Sequence, residues 1–383
     1  MDMTRLPWMT DEVSQFRDAA RRYLAEQIAP RVPGWIAAKR VDRKTWLDLG
    51  AMGMLLPELP EELGGSGASV ALQAVLTDEM TATGVMPHFG LAVHAIVAHY
   101  LLAYGNDEQK RRWLPKMASG ELIAAVAMSE PSAGSDLQAV KTHARRDGDH
   151  YMVNGSKTFI TNGAIADLVC VVVKTDPAAG GKGISLVIVD TRDARGYAVG
   201  RVLNKVGMKG SDTAELFFDD VRVPAANLLG AEGRGFAQLM EQLPFERTIV
   251  GISAVASIER AVALTTEYAK QRQAFGKPLL EMQNTRFKLA ECATIARIGR
   301  VFIDDCVQRL ADGTLDSATA SMAKWWTTQM QCDVIDECVQ LFGGYGYMVE
   351  YPIAQMYADA RVQKIYGGTN EIMKEIVGRS LGV

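Results

Sequence analysis

Between residues 122 and 228 the apolar positions stop recurring at helical spacing, and this change of period constrains the fold more than any other feature. The region holds short runs rich in β-branched residues at 168–173, 184–189 and 215–218, separated by Gly- and Asp-containing turns at 146–149 and 179–183. Even spacing of this kind predicts an antiparallel barrel or sandwich rather than alternating βαβ units. No GxGxxG follows a strand to open a helix, so a dinucleotide site of the doubly wound type is not indicated.

Both flanks carry helical periodicity. At 10–28, Thr10 is placed to cap, Asp11 and Glu12 suit a first turn, and Val13, Phe16, Ala20, Tyr23, Leu24 and Ile28 form one apolar stripe. Residues 46–50 close a short helix, 57–67 read as a loop, 70–82 and 91–102 as buried helices, and 107–117 as an amphipathic helix ending near Gly120. Beyond Gly235, long periodic segments at 235–272, 280–311, 317–342 and 369–380 read as a four-helix bundle. Pro244 predicts a kink or restart within the first of them. The expected fold class is α+β multidomain: a helical domain at 1–120, an antiparallel β-domain at 121–234 and a helical bundle at 235–383.

With 41 Lys and Arg against 45 Asp and Glu, the net charge of −4 argues against nucleic acid as the main partner. The five cysteines show no CxxC pairing and read as free thiols in a reducing compartment. There is no HExxH, and His94 and His99 lie five apart, so no metal site is expected. The N-terminus lacks a signal-peptide pattern, and no apolar run reads as long enough to cross a bilayer. The expectation is a cytoplasmic protein, or one of the mitochondrial matrix if the chain is a processed mature form.

Several stretches hold residues suited to chemistry. An apolar strand at 123–128 leads into Ser129-Glu130-Pro131-Ser132-Ala133-Gly134-Ser135-Asp136, whose small and hydroxylic residues let backbone and hydroxyls approach an anion or a ring edge. A second strand at 157–161 ends in Asn162-Gly163, a turn signal, and alternation along it pairs Phe159 with Thr161 on one face. An aromatic ring beside a hydroxyl suits a flat polar heterocycle; a surface β-domain with ordinary turns accounts for the same residues. Glu246, in Leu243-Pro244-Phe245-Glu246-Arg247, precedes a mainly apolar run, where desolvation would raise its pKa toward that of a useful base. Its alternative role is to complement a helix dipole. Residues 271–278 read as a basic helix C-terminus with its cap. Residues 340–347 form a Gly- and aromatic-rich helix end. At 365–372, paired glycines run into a helix capped by Thr369, where free N–H groups could hold an oxyanion or serve only as a cap.

Taken together, six segments resemble the acyl-CoA dehydrogenase family of flavoenzymes: SEPSAGSD at 129–136, FITNG at 159–163, KGSDTAELFFDDVRVP at 209–224, QRQAFGKPL at 271–279, QLFGGYGY at 340–347 and YGGTNEIM at 366–373. The resemblance implies FAD between β-domain and bundle, and a homotetramer built as a dimer of dimers. By matching motif, Met128, Ser129, Gly134 and Ser135 should border the flavin and its pyrophosphate. Phe159 should lie against the isoalloxazine, and Thr161 should bond its reactive edge. Arg272, Phe275, Gln340 and Gly344 should hold the ADP half of the FAD of a dimer partner, with Thr369 and Glu371 completing the site. Ser135, Arg247, Tyr366 and Gly367 should contact the acyl-CoA substrate.

One departure sets the subtype. Most of the family carries its catalytic glutamate where this chain has Gly367. The long-chain and isovaleryl types carry it in the first bundle helix, and Glu246 in LPFER matches that pattern. The resemblance then implies that Glu246 removes the Cα proton, that flavin N5 accepts the β-hydride, and that the Gly367 N–H polarises the thioester. The product is a trans-2-enoyl-CoA, with electron-transfer flavoprotein as acceptor. An oxidase using oxygen and a non-catalytic acyl-CoA-binding homologue are the alternatives.

Overall fold

Side-chain caps mark where several of the N-terminal helices begin. In the computed structural model, which describes residues 6–382, helix α1 (Asp11–Tyr23) opens on Thr10, whose side chain accepts from the Val13 N–H. A π-helical turn at Leu24–Ile28 prolongs it, as the stripe through Ile28 predicts. After α2 (Val32–Ala38), α3 (Arg43–Ala51) opens on Asp42. Helices α4 (Ala71–Ala82) and α5 (Leu91–Tyr104) are apolar and largely buried. Helix α6 (Asp107–Ala118) has a capping box in which Asn106 and Gln109 satisfy each other's backbone N–H groups.

The middle of the chain forms a seven-stranded sheet from β1 (Ala124–Ala127), β2 (His143–Asp147), β3 (His150–Thr161), β4 (Leu168–Lys174), β5 (Ile184–Asp190), β6 (Tyr197–Val202) and β7 (Thr213–Pro224). The strand order is β1-β4-β2-β3-β7-β6, with β5 on β4. Pairings β2–β3, β3–β7, β4–β5 and β6–β7 are antiparallel, as expected. The purely antiparallel expectation fails at β4, which runs parallel to β1 and, at one position, to β2. The β2–β3 hairpin intervenes between β1 and β4, and such a crossover permits a parallel pair. Asn162-Gly163 therefore joins no hairpin. Asn162 is buried, and its side-chain amide donates to Gly90 O at 3.0 Å and Ala124 O at 3.1 Å, fastening the sheet to the helical domain.

The C-terminal part holds α7 (Gly235–Gln271), α8 (Gln283–Ala311), α9 (Ser317–Phe342), α10 (Pro352–Ala360) and α11 (Asn370–Ser380). Helix α10 is an element that the sequence reading lacked; at nine residues it offers little periodicity to detect. Helix α7 continues through Pro244 without the restart that proline suggested. On length and hydropathy α7 could cross a membrane, contrary to the expectation that no run is long enough, yet 67% of that window is buried inside the protein. The 271–278 segment is more than a cap: β8 (Gln273–Ala274) and β9 (Lys277–Pro278) form a small hairpin with Phe275 and Gly276 at its tip. All five cysteines are free.

Ion pairs lock the domains together. Arg43 grips Asp167 through two contacts of 2.6 and 2.8 Å, joining α3 to the sheet. Arg300 on α8 bonds Asp78 of α4 at 2.7 Å and Glu259 of α7 at 3.0 Å, joining the two helical domains. Helix α5 packs against α7 at this junction of the two helical domains, where the candidate site lies.

Candidate active site

Glu246 sits two residues beyond Pro244 on α7, and its side chain leaves water almost completely. Around it are the Phe245 ring, stacked on His99 at 3.9 Å between centroids, and Tyr100, which donates to Glu246 Oε1 at 2.5 Å. Burial pushes the Glu246 carboxyl up to about 7, against the opposing pull of the Tyr100 hydroxyl and the Arg247 and His99 charges. Burial likewise drives the Tyr100 phenol well above its ordinary range, so it stays a donor. A carboxyl poised near neutrality, with one fixed donor, can take up a proton from a weak carbon acid.

Gly367 lies beside the same helix face. A β-carbon placed on it would come 3.8 Å from Val250, one turn beyond Glu246. Its φ of +63°, followed by +89° at Gly368, is a backbone course that glycine adopts without steric cost. Thr369 then caps α11, its hydroxyl accepting from the Ile372 N–H at 3.3 Å, as expected. Arg247 points elsewhere: it is buried, and its Nη1 donates to Ser317 and Ser321 on α9 at 2.9 and 3.0 Å. This geometry turns its guanidinium toward α9 within the bundle. Tyr366 is exposed at the start of the turn.

The 129–136 loop is anchored by its glutamate. Glu130 accepts from the N–H groups of Lys141 and Thr142 at 2.6 and 2.9 Å and pairs with the fully buried Lys157 at 2.9 Å. Lys157 also donates to Met128 O, and the Thr158 N–H to Ser129 O, both at 3.0 Å. Loop and strand β3 are thereby fixed side by side, while Gly134 and Ser135 stay exposed. A β-bulge between Lys157 and Ile160 interrupts simple alternation, and Phe159 takes φ +61° with 69% of its surface exposed. Thr161, two residues on, is half-buried. An exposed aromatic in a left-handed conformation is costly unless something covers it. This platform, with the loop beside it, fits a flat heterocycle.

The remaining expected contacts stay open within one chain. Phe275 is 97% exposed at its hairpin tip, and Gln340 and Gly344 are exposed at the end of α9. Arg272 stacks over the Tyr345 ring at 5.6 Å, which brings the hairpin to the 340–347 segment. Glu371 is exposed in the first turn of α11. Tyr100 was not singled out from sequence. The available signal was a phenol inside an apolar helix, which when buried requires a partner.

Comparison with known proteins shows the family. The domain description "Acyl-CoA dehydrogenase, N-terminal domain" matches residues 10–121, the middle domain 125–221 and the C-terminal domain 233–382. The chain belongs to the acyl-CoA dehydrogenase family. It is 46% identical over 369 residues to the mitochondrial long-chain specific acyl-CoA dehydrogenase of Mus musculus, covering 96% of this chain and 85% of that one. It is 34% identical to the acryloyl-CoA reductase (NADH) of Anaerotignum propionicum, across 97% of this chain and 95% of that one. Among solved structures, the acyl-CoA dehydrogenase of Geobacillus kaustophilus superposes with a TM-score of 0.97 at 46% identity, covering 99% of this chain and all of the other. As an acyl-CoA dehydrogenase family member the protein is an oxidoreductase, and its helical, β-sheet and helical domains follow the family's order.

Proposed function

We propose that the protein dehydrogenates an acyl-CoA thioester to the trans-2-enoyl-CoA, with Glu246 as the base. The observation that carries this reading is the buried Glu246 carboxyl, held by Tyr100 and raised to about 7, on the α7 face that Gly367 adjoins. Glu246 takes the Cα proton, and Tyr100 keeps the carboxylate oriented and partly stabilised until it does. The Gly367 N–H bonds the thioester oxygen as charge develops there, because a missing side chain leaves the amide in place. The apolar packing around Phe245 excludes water that would otherwise level the base.

Met128, Ser129, Gly134, Ser135, Phe159 and Thr161 would hold FAD, with Arg272, Phe275, Gln340, Gly344, Thr369 and Glu371 at its distal parts. When bound, FAD supplies the acceptor for the β-hydride. The exposed hairpin around Phe275 supports a homotetrameric assembly in which it covers a partner's cofactor. Electron-transfer flavoprotein is the acceptor we propose. The likeness to a long-chain specific relative points to a long acyl substrate.

Mixing oxidised protein anaerobically with a panel of acyl-CoAs tests the reading. Wild type should bleach with its substrate, while Glu246→Gln should stay yellow with FAD bound. Full bleaching of that variant would move the base elsewhere, and a colourless wild type would favour a non-catalytic binding role.

A further inference from the structure

Lys324 on α9 is fully buried, yet its ammonium group meets neutral oxygens: Gly368 O at 2.6 Å and Asn370 Oδ1 at 3.1 Å. Asn370 is itself fixed from two sides. Thr328 Oγ1 donates to its Oδ1 at 3.1 Å, and its Nδ2 donates to Trp325 O at 3.2 Å. The clamp closes on a turn whose two residues, Gly367 and Gly368, both hold positive φ. Paired glycines have more conformations to lose than any other residue pair, so the turn needs an outside restraint to keep one of them.

We infer that Lys324 is a positioning residue for the reaction, fastening the Gly367–Gly368 turn so that the Gly367 N–H stays aimed at the thioester oxygen. The inference rests on the proposed dehydrogenation and names a residue that acts on the substrate only through that turn. Its placement is costly. Burial and the neighbouring Arg247 charge push the Lys324 ammonium down to about 7, and Glu371 only partly offsets them. A methionine or leucine would fill the same volume without that cost. What neither can do is donate to the Gly368 carbonyl and the Asn370 side chain together.

A donor held on a loose turn still binds its ligand but loses the strengthening that charge development demands, so the effect should fall on turnover. The test uses the FAD-loaded protein, comparing wild type with Lys324→Met, Lys324→Gln and Thr328→Val. Two quantities are read: steady-state kcat and KM, and the infrared carbonyl frequency of a bound trans-2-enoyl-CoA carrying ¹³C at its thioester carbon.

Expected for Lys324→Met are a kcat lowered about 10- to 100-fold, a KM changed less than about 3-fold, and a smaller downward shift of the bound carbonyl band. Lys324→Gln, which can still donate one hydrogen bond, should recover part of both. Thr328→Val removes the hydroxyl contact to Asn370, along with bonds to Lys324 O and Trp325 O within its own helix, and should give a small change of the same sign; it decides the matter if Lys324→Met does not fold. A bound-carbonyl frequency and kcat equal to wild type in the folded variants would overturn the inference and leave the dehydrogenation standing. A wild type that turns over no acyl-CoA would remove the dehydrogenation, and this inference with it.

Discussion

Tyr100 on α5 and Glu246 on α7 share one hydrogen bond of 2.5 Å, across a seam between the N-terminal helical domain and the bundle. The proposed base on one domain is therefore bonded by a residue of another, and the ion pairs of Arg300 with Asp78 and Glu259 also join these two domains. The relationship gives the site a pH response that can be predicted in sign.

As the proposed base, Glu246 would abstract a proton only when ionised, so activity should rise as pH increases through about 7. The Tyr100 hydroxyl favours the ionised form. Tyr100→Phe should thus move the acidic limb of kcat/KM upward by about one unit, since a hydrogen bond to a charged group is worth about 1.5–3 kcal/mol and each unit about 1.4. Activity at pH 7 should fall several-fold and return at pH 9. An unshifted limb in the Phe variant would mean that Tyr100 does not govern the base.

Glu130 and Lys157 make a second prediction, on stability. The pair is buried, and Lys157 is held down to about 8 chiefly by that burial. Glu130→Gln leaves the ammonium without its carboxylate and should cost about 3–5 kcal/mol, seen in the urea midpoint. The double variant Glu130→Gln with Lys157→Met removes both charges and should regain most of it. Should the double variant be as unstable as the single one, loop packing rather than the charge pair is what holds residues 129–136.

Much of this was legible in the sequence, for reasons that also explain what was not. Thr10, Thr369 and the long stripes of α7, α8 and α9 act through local rules, so their helices could be read directly. The setting of Glu246 beside Phe245 and an apolar run suited a helix-dipole role equally, and it was the LPFER resemblance, with Gly367 in place of the usual glutamate, that marked it as the base. The partners of these residues belong to tertiary structure. Nothing near Tyr100 or Lys324 in the chain announces Glu246, 146 positions away, or Gly368, 44 positions away. The parallel β1–β4 pairing and the role of Asn162 as a tie to Gly90 depend likewise on contacts between distant segments.

His94 yields a third prediction. It is fully buried; its Nδ1 accepts from the Ala124 N–H at 3.2 Å, and its Nε2 donates to Met117 O at 3.1 Å, an arrangement that needs the neutral ring. Burial lowers its pKa to about 4, whereas the unfolded chain titrates near its ordinary value. The unfolded state then binds a proton that the folded state refuses. Stability is present above about 6.5 and lost as pH falls toward 4, by up to about 3 kcal/mol. His94→Gln, which cannot titrate, should lose less stability than wild type between pH 6.5 and 4.5 in urea titrations. Parallel losses in the two proteins would place the acid sensitivity in other groups.

Phe275 separates folding from assembly. Its ring, 97% exposed at the tip of the β8–β9 hairpin, packs on almost nothing in its own chain. Phe275→Ala should therefore leave the urea midpoint within about 0.5 kcal/mol of wild type, measured on chains held monomeric by dilution. If a second copy and its FAD cover the ring, as proposed, the same change forfeits about 1.5–3 kcal/mol of burial at each contact. That corresponds to roughly a 10- to 100-fold weaker association or cofactor retention. Sedimentation velocity and the flavin-to-protein ratio after dialysis would read the two effects separately. If neither changes, the hairpin tip has no partner and the assembly must be built from another face.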